Sequence, residues 1–145
     1  MKTNGGFLVT KVKQLSDRVF EKILARQGID EFNGPQGRIL FVLWQQDGVA
    51  IKTLSEKSGL AITSLTTMLE RMENNGLIIR KQDETDKRKT LLFLSDKARE
   101  LRESYEMVSE EMGSIFYQDF NDEEISEFEE KLERIFDNLE NWREK

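Results

Sequence analysis

The side chains best suited to binding chemistry are concentrated in two short stretches between Ala50 and Ser95. The first stretch, ITSLTTMLER, carries hydroxyl groups and a guanidinium, and the second, QDETDKRK, ends in three consecutive cations. Hydroxyls near a helix start can approach phosphates and base edges, and the helix dipole favours a polyanion there. Cations at a hairpin tip suit backbone or minor-groove contacts. The predicted residues for binding double-stranded DNA are Thr63, Ser64, Thr66, Thr67, Arg71, Asp86, Lys87, Arg88 and Lys89.

Two helices of a helix-turn-helix are expected to position the first stretch. A short amphipathic helix over Lys52–Lys57 should end at Gly59, because glycine readily adopts the left-handed conformation that terminates helices. A second helix should run from Thr63 to about Asn75. Thr63 is the expected N-cap, since its hydroxyl can accept a hydrogen bond from a free backbone N–H. Gly76 is expected to end this helix.

The second helix should bury one face and expose the other, and a hairpin should follow it. Leu65, Leu69 and Met72 recur at intervals of four and three, which predicts a single apolar face. The hydroxyl-bearing residues and the arginine then face outward or sideways. Leu77–Arg80 and Leu91–Leu94 are expected to form the two strands of the hairpin, with QDETDKRK at its tip. Ser and Thr near a helix start are also common as a plain polar surface with no binding role. The charged hairpin that follows them favours the DNA-binding interpretation.

The hairpin tip contains no apolar residue, so its conformation must come from turn geometry and charge. Asp86 and Arg88 lie two residues apart, which in an extended strand would place both on one face. The carboxylate is then expected to hold the guanidinium fork in a fixed orientation. We expect this pre-orientation to direct Arg88 toward a minor groove, where narrow A·T tracts concentrate negative potential.

These residues resemble the DNA-binding core of MarR-type (multiple antibiotic resistance regulator) transcription factors. The matching pattern is a hydroxyl-rich helix followed by L-x-R-[LM]-E-x-x-G-L-[IV]-x-R, found here at Leu69–Arg80. The D-x-R of the wing follows at Asp86–Arg88, and a strand ends with Leu94 and Ser95. Thr67 stands where many members carry an arginine. The resemblance implies a dimeric regulator whose wing arginine enters the minor groove. It also implies a small aromatic or anionic effector bound between the dimerisation helices and the winged core.

Long amphipathic helices are expected on both sides of the core. One should run from about Phe7 to Gln27, and a second should begin near Pro35, which suits a first helical turn. Ser95 should cap a long helix, and Asn121 with Glu124 forms a capping-box pattern for the last one. The apolar seams of the last two helices recur at alternating intervals of three and four. The seam residues are Ala98, Leu101, Tyr105, Val108, Met112 and Ile115, then Ile125, Phe128, Leu132, Ile135, Leu139 and Trp142.

The predicted fold is therefore mainly α: a winged helix-turn-helix with a small β-hairpin wing, flanked by long N- and C-terminal dimerisation helices. Residues 7–33 and 96–145 are assigned to dimerisation and residues 34–95 to DNA binding, in a single intertwined unit. A homodimer would cover the long apolar seams and present two recognition helices to a pseudo-palindromic operator. A monomeric bundle of the same helices is the alternative, because a heptad pattern does not show whether a helix packs against its own chain or against a second one.

Composition argues against catalysis. The chain contains neither cysteine nor histidine, which removes thiolate and imidazole metal ligands, the commonest general base and any cysteine-based redox switch. No nucleophile–base arrangement is evident, so the protein is predicted not to be an enzyme and to hold no metal or cofactor. No apolar run reaches membrane-spanning length and the N-terminus lacks a signal-peptide core, which predicts a cytoplasmic protein. Aromatic and methionine residues are candidates to line an effector cavity, although such residues are usually core: Phe20, Phe41, Trp44, Tyr105 and Met112.

Charge is unevenly distributed along the chain. The formal net charge is −6, yet residues 1–49 hold seven basic and five acidic residues, and residues 50–95 hold eight and six. Residues 96–145 hold seven basic and seventeen acidic residues. The predicted DNA-binding segment, residues 50–95, is thus mildly basic. Charges farther from the DNA than a Debye length of about 8–10 Å are largely screened, so the acidic residues elsewhere do not exclude DNA binding. The favoured function is a dimeric, sequence-specific transcriptional repressor released by a small ligand; the alternative is a winged-helix protein-interaction module using the acidic C-terminal helices.

Overall fold

The computed structural model describes residues 1–144, in which a winged helix-turn-helix is preceded and followed along the chain by helices. The described elements, in chain order, are α1 (Gly5–Arg26), α2 (Gly34–Gln45), β1 (Val49–Ala50), α3 (Ile51–Ser58), α4 (Ile62–Asn74), β2 (Ile78–Gln82), β3 (Thr90–Leu94), α5 (Asp96–Glu100), α6 (Arg102–Phe116) and α7 (Asp122–Glu140). The chain divides into two compact units, Met1–Met112 and a second one that begins at Gly113. The predicted fold class is confirmed.

The sheet of the wing has three antiparallel strands in the order β1-β3-β2. Val49 pairs with Leu92 and Ala50 with Leu91, so the short β1 adds a third strand to the hairpin. The turn before β1 requires glycine: Gly48 has φ of 70°, and an added Cβ would lie 2.6 Å from Cε1 of Phe93. The β2–β3 ladder runs from Ile78 opposite Leu94 to Gln82 opposite Thr90, so the hairpin tip comprises residues 83–89.

The core of the first unit lies where α2, α3 and α4 pack with the sheet. Leu54, Leu65, Leu69, Met72 and Leu77 are each 0% exposed. The predicted apolar face of the second helix is therefore confirmed. In α2, Ile39, Leu40, Val42 and Leu43 are also buried, whereas Phe41 is 44% exposed.

Local sequence signals mark several of the helix ends. Asn33 and Gln36 form a capping box at the start of α2, and Pro35 lies in its first turn, where its missing N–H costs no hydrogen bond. Gly59 ends α3 with φ of 74°, and Gly76 follows α4 with φ of 76°, as expected for left-handed glycines after helices. Asn121 and Glu124 form the predicted capping box of α7.

The single long helix expected after Ser95 is interrupted. Ser95 caps α5 by accepting a hydrogen bond from the Ala98 backbone N–H at 3.1 Å, but α5 ends at Glu100 and α6 begins at Arg102. The Ala98 carbonyl accepts hydrogen bonds from the indole Nε1 of Trp44 at 3.1 Å and from the Leu101 N–H at 3.2 Å. The Trp44 side chain thus bonds to a carbonyl of the helix, and the Leu101 N–H bonds three residues back instead of four. Together these two contacts explain the break. The sequence pattern contains no signal for this contact.

Helix α1 also differs from expectation, beginning two residues earlier, at Gly5, and ending at Arg26. It leaves several large apolar side chains exposed, namely Phe7, Leu8, Val9, Val12 and Leu15.

The second unit contains the amphipathic helix α7 and an aromatic cluster. No residue of α7 is buried, although its apolar seam is regular. Trp142 lies beyond the end of the helix, so the seam predicted to reach it stops earlier. Tyr117 donates a hydrogen bond to Glu129 at 2.7 Å, and burial together with this bond raises the pKa of Tyr117 to about 12. Its ring also contacts those of Phe116, Phe120 and Phe128.

Candidate nucleic-acid interface

Helix α4 presents a polar face opposite the core. Leu65, Leu69 and Met72 point inward with no exposed surface. The predicted recognition residues on this helix are all exposed: Thr63, Ser64, Thr66, Thr67 and Arg71. The orientation required of a recognition helix is present, and direct contact of these residues with bases remains a prediction.

The expectation that Thr63 caps this helix is wrong. Helix α4 begins at Ile62, its N-cap is Ala61, and no side chain caps it. The preceding turn is fixed from α3 instead: the Ser55 hydroxyl donates to the Leu60 carbonyl at 2.6 Å, and the Leu60 N–H donates to the Ser58 hydroxyl at 3.2 Å. Because this turn sets where α4 starts, a capping side chain is not required. The first-turn N–H groups therefore have no side-chain acceptor, which suits an incoming phosphate.

Thr66 is less free than its exposure suggests. Its hydroxyl donates a hydrogen bond to the Ile62 carbonyl at 2.9 Å, four residues earlier in the helix. The proton of this hydroxyl is therefore committed to the helix, and the oxygen is left to accept. A base contact by Thr66 is expected to come from a donor such as the exocyclic amine of adenine or cytosine.

The wing tip brings Asp86 and Arg88 together, although by a different geometry from the expected strand. The Arg88 Nε lies 3.1 Å from Asp86 Oδ1, and its Nη2 lies 3.4 Å from Oδ2. The Arg88 backbone N–H donates to the same Oδ1 at 3.1 Å, and the Lys89 N–H donates to the Asp86 carbonyl at 3.0 Å. Residues 86–89 thus form a turn closed by an aspartate side chain, not an extended strand.

The ion pair leaves the arginine available. The Arg88 side chain is 91% exposed and its guanidinium is held on one side only. The hydrogen bonds from the Arg88 side chain and backbone lower the pKa of Asp86, so its carboxylate stays ionised at neutral pH. Lys87 and Lys89 are exposed in the same turn, which places all three tip cations at the surface.

A further ion pair joins the wing to helix α4, and sequence reasoning missed it. Arg80 on β2 contacts Glu73 on α4, with 2.6 Å between Nε and Oε2. Both side chains are about one-third exposed. The one available signal is the opposite charge of two residues that flank the Gly76 turn. This contact links the base of the wing to the recognition helix.

The sequence comparisons agree with this geometry. Residues 32–90 match the model of the MarR family, a segment that contains α2–α4, β2 and the wing tip. This segment is therefore similar to the MarR family. The resemblance predicted from the wing and recognition-helix motifs is thereby confirmed.

The curated relatives of this chain are named as regulators. The HTH-type transcriptional regulator TtmR of Methylorubrum extorquens (strain PA1) is 29% identical over 109 residues, 75% of this chain. The organic hydroperoxide resistance transcriptional regulator of Bacillus subtilis (strain 168) is 39% identical over 69 residues, 48% of this chain. The alignments span 54% and 47% of these proteins, about half of their length. Both are transcriptional regulators, in agreement with the prediction that the chain is not an enzyme.

Solved MarR-family structures share the fold. A MarR transcriptional regulator from Methanosarcina mazei Go1 matches with a TM-score of 0.81 and 23% identity, covering 94% of this chain and 96% of that one. Reduced AbfR bound to DNA matches with a TM-score of 0.72 and 25% identity, covering 92% and 90%.

The first unit also contains a cavity of about 320 Å³ between α2 and α6. The residues that line it are Phe41, Trp44, Gln45, Arg102, Tyr105, Glu106, Ser109 and Glu110. Phe41, Trp44 and Tyr105 were candidates from the sequence, whereas Phe20 and Met112 do not line it. The Phe20 ring instead packs 6.2 Å from that of Tyr105. Burial raises the pKa of Tyr105, which therefore stays a neutral phenol at physiological pH.

Hydrogen bonds join the end of α2, beside the cavity, to β3 and α5. Trp44 reaches Ala98 on α5 through the indole bond described above. Asp47, in the turn after α2, accepts from the Leu94 N–H at 2.9 Å and pairs with Arg99 Nη2 at 2.9 Å. The end of α2 is thus bonded to the last residue of β3 and to the helix that follows it.

Within residues 1–144, no helix combines the length and apolarity needed to cross a membrane. The described part of the chain also holds no group of three or more acidic side chains arranged to bind a metal ion.

Proposed function

We propose that this protein is a dimeric transcriptional regulator that binds double-stranded DNA through α4 and the wing. The observation that carries the proposal is the pairing of an exposed, uncapped recognition helix with a wing whose arginine is pre-oriented by Asp86. The Glu73–Arg80 ion pair, which links the wing to α4, supports a common orientation of the two surfaces. The regulator names of the relatives and the DNA bound to AbfR support the same assignment.

In this proposal the two surfaces have different tasks. Ser64, Thr66, Thr67 and Arg71 enter the major groove and carry most of the base preference. Thr63 and the free N–H groups of the first turn bind phosphate. Arg88 enters the minor groove, while Lys87 and Lys89 contact the backbone and contribute affinity without sequence preference.

A second copy of the chain is the proposed cover for the exposed apolar surfaces of the terminal helices. Phe7, Leu8 and Leu15 are each more than half exposed on α1, as are Phe136 and Leu139 on α7. Large exposed apolar side chains clustered on a helix in this way are unusual on a monomer and typical of an obligate interface. Residues 7–33 and 96–145 are accordingly assigned to dimerisation. The two-fold axis then presents two recognition helices to successive half-sites of a pseudo-palindromic operator.

We further propose repression relieved by a small effector in the α2–α6 cavity. Three aromatic side chains form its walls, and Arg102, paired with Glu106 at 3.1 Å, gives it a polar edge. These features suit a small aromatic ligand with an anionic group. A ligand that displaces Trp44 disturbs the Ala98 contact, and through Asp47 and Leu94 the position of the wing. A thiol-based response is excluded for these 145 residues, which contain no cysteine.

Fluorescence anisotropy with duplex DNA from immediately upstream of the coding sequence tests DNA binding. Binding at several salt concentrations should weaken linearly in a plot of log affinity against log salt, with a slope of about −0.9 per phosphate contact. Random-sequence duplex of the same length should bind more weakly. Equal binding to both duplexes with no salt slope would contradict the proposal and favour the interaction module.

A further inference from the structure

The wing tip is built from two consecutive turns, each closed by an aspartate side chain. In the second, described above, Asp86 accepts from Arg88. In the first, Asp83 Oδ1 accepts the Thr85 N–H at 2.9 Å and the Thr85 hydroxyl at 2.8 Å. The Asp83 N–H donates to the Lys89 carbonyl at 3.0 Å, which closes residues 83–89 into a loop above the last strand pair. The first turn therefore precedes and supports the one that carries the cations.

Asp83 is distinguished from its neighbour Glu84 by these bonds. The Thr85 backbone N–H and hydroxyl lower the pKa of Asp83, and the Asp86 N–H and the charge of Lys89 act in the same direction. Glu84 is exposed, and no hydrogen bond or ion pair of its side chain is found within residues 1–144. The two adjacent carboxylates thus carry equal charge at the same tip, but one closes a turn and the other does not.

We propose that Asp83 is a positioning residue for DNA binding, which fixes the tip so that Arg88 and its neighbouring lysines reach the DNA together. The inference rests on the proposed function and extends it to a residue outside the D-x-R pair. Aspartate side chains that accept from the backbone two residues on are known to define such turns. If this turn is lost, the tip is mobile in the free protein. Binding to DNA must then order it, and the conformational entropy lost in doing so lowers the affinity.

Charge and positioning predict opposite signs, which makes the inference testable. DNA is a polyanion, so removing a carboxylate from a surface that faces it should strengthen binding. If Asp83 instead positions the tip, removing its acceptor oxygen should weaken binding, even though the change in charge is favourable. Asparagine separates the two effects, because its amide oxygen keeps the acceptor while the negative charge is lost.

The experiment compares Asp83→Ala, Asp83→Asn and Glu84→Ala with the unmodified chain. The probe is a duplex recovered by the unmodified protein from a random-sequence library, and anisotropy titrations at one fixed salt concentration give the affinities. Glu84→Ala and Asp83→Asn should bind as well as the unmodified chain or up to about twofold more tightly. Asp83→Ala should bind about threefold to tenfold more weakly, the ratio expected for ordering one side chain at an interface.

Equal affinities for Asp83→Ala and Glu84→Ala would overturn the inference, as would Asp83→Asn binding as weakly as Asp83→Ala. Urea unfolding of the three variants should coincide with that of the unmodified chain, since the tip adds nothing to the core. A coinciding curve excludes misfolding as the cause of weaker binding, and the asparagine variant, which keeps the acceptor oxygen, measures what the loss of charge alone does to the affinity. If the unmodified chain selects no sequence and shows no salt dependence, the proposed function itself fails, a result distinct from the first two.

Discussion

The winged core and the terminal helices use the same amphipathic pattern with different results. In the core, Leu65 and Leu69 of α4 are fully covered by neighbouring elements of the chain. On α7, a seam of equal regularity buries no residue, and Leu139 is 71% exposed. Periodicity identifies an apolar face but carries no information about what covers it. The core is therefore complete within one chain, whereas the terminal helices are proposed to be completed by a second one.

The largest expected effect comes from placing a charge on the exposed seam. Leu139→Glu should dissociate the proposed dimer, because full burial of a leucine stabilises by about 1.5–3 kcal/mol and each dimer contains two copies. Size-exclusion chromatography with light scattering should report a monomer mass at micromolar concentration for this variant and a dimer mass for the unmodified chain. Glu127→Gln, on the same helix, is the matched control and should remain dimeric. A monomer mass for the unmodified chain would end the dimer proposal.

A core substitution should behave in the opposite way. Leu69→Ala removes a fully buried side chain and should lower the free energy of unfolding by about 2–5 kcal/mol. Because its neighbours belong to the same chain, this loss should be independent of protein concentration. Urea unfolding at two concentrations tenfold apart measures both properties. A loss that changes with concentration would place Leu69 at a subunit interface and remove the contrast between the two regions.

The difference between the regions also explains what could be predicted from the sequence. The helix-turn-helix was predictable because its signals are local: Gly59 and Gly76 end helices, and Leu65, Leu69 and Met72 mark one face. The break at Leu101 was not, since it depends on Trp44, a residue more than fifty positions earlier that bonds to Ala98. Thr63 was misassigned as a cap because the start of α4 is fixed by serines of the preceding helix.

The sequence predicted one contact of the wing but not the geometry that produces it. The Asp86–Arg88 contact was expected from spacing in a strand, but an aspartate-closed turn produces it. Strand spacing contained no information about Asp83, whose bonds to Thr85 support that turn. The Glu73–Arg80 pair forms because the hairpin packs back along α4. Sequence patterns do not predict this packing.

Removing the wing arginine should separate affinity from stability. Arg88→Ala is expected to lose most operator binding, since a specific arginine contact contributes about 1–3 kcal/mol and a dimer makes two. Thermal unfolding should be nearly unchanged, because the side chain is 91% exposed and outside the core. Anisotropy and a melting curve on the same preparation measure both. Arg88→Lys is the control: if it binds as well as the unmodified chain, charge alone is sufficient and the planar fork has no role.

Asp86→Ala tests whether the wing arginine is oriented or merely present. The substitution removes a negative charge, so simple attraction to DNA predicts tighter binding. Loss of the bonds from the Arg88 backbone and side chain predicts weaker binding, and we expect this effect to dominate. The result is read as the ratio of affinities at fixed salt. Tighter binding by Asp86→Ala would show that Arg88 is an ordinary phosphate contact.

The smallest expected effects belong to the hydroxyls of α4. Thr66→Ala and Thr67→Ala should change the preference among related operators by less than the roughly 1–3 kcal/mol of a good bidentate contact, because a single hydroxyl makes one bond. Thr66 should affect positions that offer a donor, since its own proton is bonded to Ile62. Thr67 has no such bond within residues 1–144, so its hydroxyl can donate or accept and should tolerate more base pairs. Selection of operators from a random library by each variant measures the two preferences separately. Equal weakening on specific and random duplexes would show that both residues contact only the DNA backbone.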